Sequence, residues 1–458
     1  MTEWKIGASD AVILPVVDEG LGNSTYLVDL GDGRAVAIDP SRDLRALDAQ
    51  AAHRNVMIAF AAETHLHADF VSGSTRLAAR DRATVLGSAA GNRDFPHRRL
   101  ADGDEVDLGG LTLRSWTTPG HTFEHLAYLL CDGADVRAVF TGGSLLVGAA
   151  ARTDLTGPLH TEALAREQFR SLRRLADLPD DVLVLPTHGA GSFCSAPPGA
   201  ERASTIAREK ATNALLGIED EDEFVTALIA SLGTFPPYFL RLGEVNRRGP
   251  AVPADNAMSA MSALSPAAVG AATASGAVII DVRPVREYAT AHVARSLSIE
   301  LRPAFATWLG WLVPDASTPL VIVRNADQDP EEVVWQARKI DYTNIVGELD
   351  VDDWHAAGHP LVSTKVATAG DVDTTQLLDI RQHSEYAAGH APNARNIELG
   401  DLATAKVPSG PLVAMCGHGE RAASAASVLE RDGREDVAIL MGGPGDWAPD
   451  GTARQPRP

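Results

Sequence analysis

An internal repeat constrains the fold most. Ile280-Asp281-Val282-Arg283, followed by Glu287-Tyr288, His292 and Ile299-Glu300-Leu301, recurs without a gap 98 residues later. There it reads Leu378-Asp379-Ile380-Arg381, then Glu385-Tyr386, His390 and Ile397-Glu398-Leu399. Two copies are too few for a solenoid, so the repeat predicts two tandem domains, 266–362 and 365–458. Residues 1–235 are left for a core of their own, as a chain of 458 residues leads one to expect. Between them, Pro236-Pro237, Arg247-Arg248-Gly249-Pro250 and the Pro-, Ser- and Ala-rich run 251–266 read as a linker, placed at 236–265.

In the region before the repeat, the apolar run Met57 to Ala62 reads as a buried strand and leads into T-H-L-H-A-D-F-V-S-G, Thr64 to Gly73. In extended chain residues i and i+2 point the same way, so His65 and His67 can aim at one point, with Asp69 two residues on. Imidazole and carboxylate are common ligands of zinc and iron. Upstream, 11–17, 24–30 and 35–38 read as strands and 43–54 as a helix. Downstream, Glu105 to Leu108 and Leu111 to Thr117 form a hairpin signal around Gly109-Gly110, delivering His121 at its exit. Residues 201–216 and 220–232 read as two closing helices.

Thr64 to Gly73 resembles the H-x-H-x-D-H signature of the metallo-β-lactamase fold, in the branch of glyoxalase II-like hydrolases and persulfide dioxygenases. Thr118-Pro119-Gly120-His121-Thr122 and Pro186-Thr187-His188-Gly189-Ala190-Gly191 match further segments in order. The resemblance implies an αββα sandwich with metal at one edge between the sheets. It implies His65, His67 and His121 as first-metal ligands and His188 as the last one. Two departures stand out. The final histidine of the signature is Phe70, and the T-G-D segment reads Thr141-Gly142-Gly143. A second metal loses a ligand and its bridge, so one mononuclear metal is expected, Fe(II) or Zn(II), with Asp69 as a ligand, proton acceptor or support. His188, His125 and Arg152, the last in R-T-D, are candidates for supporting a ligand or contacting substrate, with simple packing for His125 and loop fixing for Arg152 as the alternatives. Cys131 and Cys194 are expected to be buried, inert thiols, with a place near the metal pocket as the other reading of Cys194.

The D-x-R…E-Y…H pattern of the repeat resembles the rhodanese family of sulfurtransferases. In the second copy the apolar run Pro411 to Met415 leads to Cys416-Gly417-His418-Gly419-Glu420-Arg421 and an Ala-rich helix. A thiol in a tight loop opening a helix faces backbone N–H groups and the positive dipole end, which favour thiolate. By the resemblance, the loop would hold a cysteine persulfide, and Arg421 would neutralise an anionic donor. In the first copy the matching strand, Pro319 to Val323, is followed by Arg324 and an acidic loop. A structural or docking module without catalysis is expected there.

A net charge of −21 argues against nucleic acid or an anionic membrane as partner, and no apolar run is long enough to span a bilayer. The first ten residues lack a basic segment followed by a long apolar one, and three cysteines exclude a disulfide framework, so a cytoplasmic enzyme is expected. The fold class is thus α/β: an αββα sandwich followed by two small rhodanese-like domains. The expected function is sulfane-sulfur metabolism, a persulfide dioxygenase-like domain coupled to a sulfurtransferase acting on a small thiol or persulfide. A zinc (thio)ester hydrolase of glyoxalase II type, and a non-catalytic metal domain beside an active Cys416, are the alternatives. No nucleotide cofactor is expected, and a homodimer is left open.

Overall fold

In the computed structural model, residues 3–7, 10–194, 201–252 and 261–447 are described. Residues 253–260 of the expected linker and 448–458 of the second copy lie outside the described residues. The chain divides into two compact units: residues 1–254, with which 338–341 are grouped, and the remainder.

The first unit owes its layers to strict alternation along its strands. One sheet runs in chain order from Trp4–Lys5 through Val12–Asp18, Asn23–Asp29, Arg34–Ile38, Met57–Ala62 and Thr84–Ser88 to Arg98–Leu100. The other orders Ser204–Thr205, Leu183–Pro186, Asp135–Gly142, Leu126–Asp132, Thr112–Thr117 and Glu105–Asp107. Successive side chains of a strand face opposite ways. Tyr26 and Val28 accordingly join Leu126, Tyr128 and Leu130 in a core between the sheets. Leu27 faces outward, packing with Leu47 and Leu77 of the helices Arg45–Arg54 and Ser74–Asp81 and with Leu44 just before the first. Ala127, Leu129 and Cys131 face outward on the other side, under Leu172 and Leu175 of Thr161–Ala176 and Phe224 of Glu221–Ala230. The order is helix, sheet, sheet, helix.

Two expectations about local structure need correcting. The stretch 201–216 begins as a short strand and turns helical only over Ile206–Thr212, because the Thr205 hydroxyl accepts the Arg208 N–H and caps the helix there. The stretch 236–265, read as linker, contains the helix Phe239–Arg248. Its Phe239, Leu242 and Asn246, at i, i+3 and i+7, form one buried face. The proline and glycine signals flanking it mark its ends.

In the second unit the first copy forms a parallel sheet ordered Leu297–Ser298, Val278–Asp281, Leu320–Val323, Ile345–Leu349. The second forms a parallel sheet ordered Lys365–Ala367, Val437–Leu440, Leu412–Met415, Leu377–Asp379, Arg395–Asn396. The repeated residues hold the same scaffold bonds in both. Arg283 pairs bidentately with Asp281 and reaches the Ala291 carbonyl; Arg381 does so with Asp379 and the Gly389 carbonyl. Tyr288 stacks on His292 and Tyr386 on His390, each pair with ring centroids 3.9 Å apart. Among the described residues no helix is long and apolar enough to cross a membrane.

Candidate functional site

The parallel strand pairs of both sheets in the first unit end at one edge. Arg34–Ile38 and Met57–Ala62 run parallel, as do Asp135–Gly142 and Leu183–Pro186. Asp39, Thr64-His65, Gly142-Gly143 and Thr187-His188 therefore emerge together beyond their carboxyl ends. His121 joins them from the loop between Thr112–Thr117 and Leu126–Asp132. All five histidines, 65, 67, 121, 125 and 188, are buried.

Hydrogen bonds decide which nitrogens are free to ligate. The Thr64 hydroxyl donates to Asp39 Oδ2 at 2.7 Å and so is left to accept from His65 Nδ1 at 2.9 Å. His121 Nδ1 donates to the Arg152 carbonyl at 2.7 Å, and its Nε2 has no hydrogen-bond partner. His188 Nδ1 lies 3.1 Å from both Asn23 Oδ1 and Asp69 Oδ2, which turns its Nε2 to within 3.3 Å of His65 Nε2. Nitrogens held tetrahedrally at about 2.05 Å from one cation stand about 3.3 Å apart. The ligating atoms of His65, His121 and His188 all lie within 4.8 Å of one another, so this trio fits a single metal ion.

The expected trio of His65, His67 and His121 is thus regrouped, with His188 beside His65 and His121. His67 is drawn aside, its Nε2 3.1 Å from Asp39 Oδ1 and its ring stacked on Phe70 at 4.2 Å. It shares two overlapping donor groups, one with Asp39 and His65 and one with Asp69 and His188. Phe70 fills the place where the signature has its last histidine. Gly143 matters for its lack of a side chain. A Cβ there would stand 2.2 Å from His121 Cδ2, so the imidazole occupies the space an aspartate of the T-G-D segment needs.

Burial sets the electrostatics, and specific neighbours modify it. It pushes His121 down to about 3, aided by His188, and holds His65 well below its ordinary value, aided by His67 and His121. Burial also opposes protonating His188, yet Cys194 and Asp69 beside it raise its imidazole well above the usual value. Two ring nitrogens at 3.3 Å, one basic and one not, can share either a proton or a cation. Burial would raise Asp39, but His67 and hydrogen bonds from Thr187 and Thr64 hold its carboxyl at about 2.

The other expected residues serve as supports. His125 Nε2 accepts the Gly143 N–H at 2.9 Å, which leaves Nδ1 to donate to the Thr118 hydroxyl at 2.8 Å; both nitrogens are taken. The Arg152 guanidinium pairs bidentately with Asp154 and donates to the Phe193 and Gly233 carbonyls. Its contribution to the site is its backbone oxygen. Asp69 stands behind His188. Burial pushes the Cys131 thiol up, as suits a core residue.

Sequence reasoning missed the residues that fix the ligand loop. Asp39, with a left-handed φ of 49°, accepts the Thr64 N–H at 2.7 Å. Glu124 accepts the Leu66 N–H at 2.9 Å. Asn246 Nδ2 donates to the His67 and Phe70 carbonyls, and its Oδ1 accepts the Ser72 N–H. Glu63 takes the Ser72 hydroxyl on one oxygen and buried Arg93 on the other. An aspartate closing a strand just before proline was the one available signal.

In the second unit, Cys416 follows the strand Leu412–Met415 and precedes the helix Glu420–Arg431. Gly419, at φ +119°, turns its N–H onto Cys416 Sγ at 3.2 Å. Gly417 is half-buried and His418 exposed, while Glu420 opens the helix. The Arg421 guanidinium is held bidentately by Glu385 at 2.7 and 2.8 Å. In the first copy Arg324 folds back on Glu348 and donates to the Asn325 and Gln328 carbonyls, filling the corresponding loop.

Relatives follow the same division. The Rhodanese-like domain family matches residues 365–450. The first 200-odd residues are similar to the mitochondrial persulfide dioxygenase ETHE1 of Homo sapiens, 30% identical over 206 residues, 44% of this chain and 74% of that one. The hydroxyacylglutathione hydrolase of Methylococcus capsulatus is 33% identical over 181 residues, 38% of this chain. The chain spans 64% of that enzyme's length and 62% of its Ruegeria pomeroyi counterpart's. Among solved structures, a metallo-beta-lactamase from Staphylococcus aureus subsp. aureus COL aligns with a TM-score of 0.65 at 26% identity, covering 74% of this chain and 98% of that one. Two parallel-strand edges converging on buried histidines, and this extent of likeness, place the chain in the metallo-β-lactamase-fold family of persulfide dioxygenase ETHE1, with a rhodanese-like domain over residues 365–450.

Proposed function

We propose that the protein works in sulfane-sulfur metabolism. In this reading the first unit acts on the persulfide of a small thiol at a single metal ion, and Cys416 accepts and hands on sulfane sulfur. The observation that carries it is the convergence of His65, His121 and His188 at one-ion spacing, with Phe70 and Gly143 standing where the signature has two further ligands. His65, His121 and His188 would hold the ion, their tautomers fixed by Thr64, Arg152 and Asn23. A bound ion supplies Lewis-acid polarisation and, if it is iron, a place for dioxygen. Asp69, beside His188, would accept that ring's Nδ1 proton in a hydrogen bond and so orient the imidazole. Cys416 receives the Gly419 N–H, which stabilises anionic sulfur. A tether between the two activities raises the local concentration of a reactive sulfur intermediate.

A three-histidine set without a carboxylate also suits zinc, and that favours a thioester hydrolase as the second reading. The test is metal analysis of protein purified without oxygen, with oxygen uptake on glutathione persulfide and turnover of a glutathione thioester measured side by side. The first reading expects about one iron per chain, oxygen uptake lost in His65→Ala, and sulfur transfer lost in Cys416→Ser. Zinc with thioester turnover and no oxygen uptake would sink it. Sulfur transfer unchanged in His65→Ala, with neither metal-dependent activity, would leave Cys416 as the sole active centre.

A further inference from the structure

The first rhodanese-like copy has no nucleophile, yet it carries a segment that the second lacks. Seventeen residues separate Leu301 from Pro319, against eleven between Leu399 and Pro411. The longer stretch forms the helix Phe305–Leu312, F-A-T-W-L-G-W-L. Its two tryptophans, three apart, share a helix face and stack with ring centroids 6.4 Å apart. Both reach the second copy. Trp311 lies so close over Gly400 that a Cβ there would stand 2.3 Å from its ring carbons. Trp308 presents its face to Arg421, with the guanidinium carbon 5.6 Å from the ring centroid. That distance is within the range of a cation–π contact, and tryptophan is its best partner.

Arg421 is thereby fixed from two sides: Glu385 of its own copy holds both of its terminal nitrogens, and Trp308 of the first copy covers its face. It stands in the first turn of the helix whose preceding residue, Gly419, donates to Cys416 Sγ. We propose that the first copy is a working part of the Cys416 site, with Trp308 as a positioning residue that holds the Arg421 guanidinium where an anionic sulfur donor arrives. The inference rests on the reading of Cys416 as a sulfur acceptor. With thiosulfate as donor, the Cys416 thiolate attacks the outer sulfur. The Cys416 sulfur–sulfur bond forms, the bond to the sulfonate sulfur breaks, and sulfite leaves with the electron pair. Charge is conserved and no oxidant is needed. Two negative charges enter and leave the loop, and Arg421 is the cation placed to meet them.

The experiment compares Trp308→Phe, Trp308→Leu and Trp311→Leu in the full chain, following Cys416 persulfide formation from thiosulfate by intact-mass spectrometry. Phenylalanine keeps an aromatic face and leucine keeps apolar bulk without one. Trp308→Leu is expected to lower kcat/KM about fivefold or more, with Trp308→Phe recovering most of the loss, as a lost cation–π contact requires. Trp311→Leu, which removes the indole over Gly400, is expected to cost less than Trp308→Leu. Equal rates for Trp308→Phe and Trp308→Leu, or equal losses for both leucine variants, would reduce the helix to a packing element and overturn the proposal. A wild-type chain that loads no sulfur on Cys416 would instead sink the functional reading, and this inference with it.

Discussion

Asn246→Ala tests whether the ligand loop is held from outside. The Asn246 side chain is buried and makes three hydrogen bonds to loop backbone: 2.7 Å to the His67 carbonyl, 2.9 Å to the Phe70 carbonyl and 2.9 Å from the Ser72 N–H. Removing it strands three buried backbone groups, at about 1–3 kcal/mol each. The vacated space suits one water with three partners, which recovers part of that. A net loss of about 3 kcal/mol is the working figure, and in a unit of this size it lowers Tm by roughly 6–12 °C. Asn246→Asp should do no better. A carboxylate still accepts the Ser72 N–H but places a second acceptor against two carbonyls. The assay is thermal unfolding together with metal affinity by chelator competition. The loop carries His65 and His67, so affinity should fall with stability. A Tm shift below about 2 °C would refute the accounting of the three bonds. A large shift with unchanged affinity would refute the link between clamp and metal.

Three further outcomes are expected. Gly143→Asp, which restores the T-G-D segment, should weaken metal retention after dialysis, because its Cβ would collide with the His121 ring. Arg324→Cys should leave persulfide loading confined to Cys416 in a mass-spectrometric peptide map, since the loop that receives residue 324 offers its side chain the carbonyls of Asn325 and Gln328. The third concerns acid. Burial would raise Glu385, but the hydrogen bonds and charge of Arg421 prevail and hold it below the usual carboxylate range. A folded-state value below the unfolded one means that the pair stabilises fully above about pH 4.3 and is lost as pH falls further. Sulfur loading should therefore decline on that acid limb, and Glu385→Gln should flatten the decline.

What the sequence made legible was local. The D-x-R signature of both copies is an ion pair between residues two apart, and the Tyr–His stack spans four, so the repeat carries its own scaffold wherever it occurs. Arg152 and Asp154 belong to the same class, and their loop-fixing role was among the readings of R-T-D. The alternation of the strands likewise predicts which face is buried. The grouping of His188 with His65 was legible only through the resemblance, because it depends on how two separate sheets pack. His188 meets His65 across 123 positions, and no spacing rule reaches that far. Asn246 was hidden for a different reason. It lies 179 positions from His67, in a ten-residue helix bracketed by Pro236-Pro237 and Gly249-Pro250, and the punctuation outweighed a buried face with only two apolar residues.

The two copies of the repeat make the same physical point from opposite directions. Both offer the residue after the central strand a tight loop at a sheet end, but the loops show it different groups. In the second copy the Gly419 N–H turns inward, a donor suited to anionic sulfur. In the first, Arg324 finds the carbonyls of Asn325 and Gln328 and the carboxylate of Glu348, acceptors suited to a guanidinium. Each side chain is matched to its loop, which is why Arg324→Cys alone is expected to leave that position unloaded. The first copy also has the longer connection, and the helix Phe305–Leu312 lies in it. Its Trp308 meets Arg421 of the second copy. Under the proposal made above, the first copy is half of one site, in which one copy keeps the sulfur and the other steadies the charge beside it.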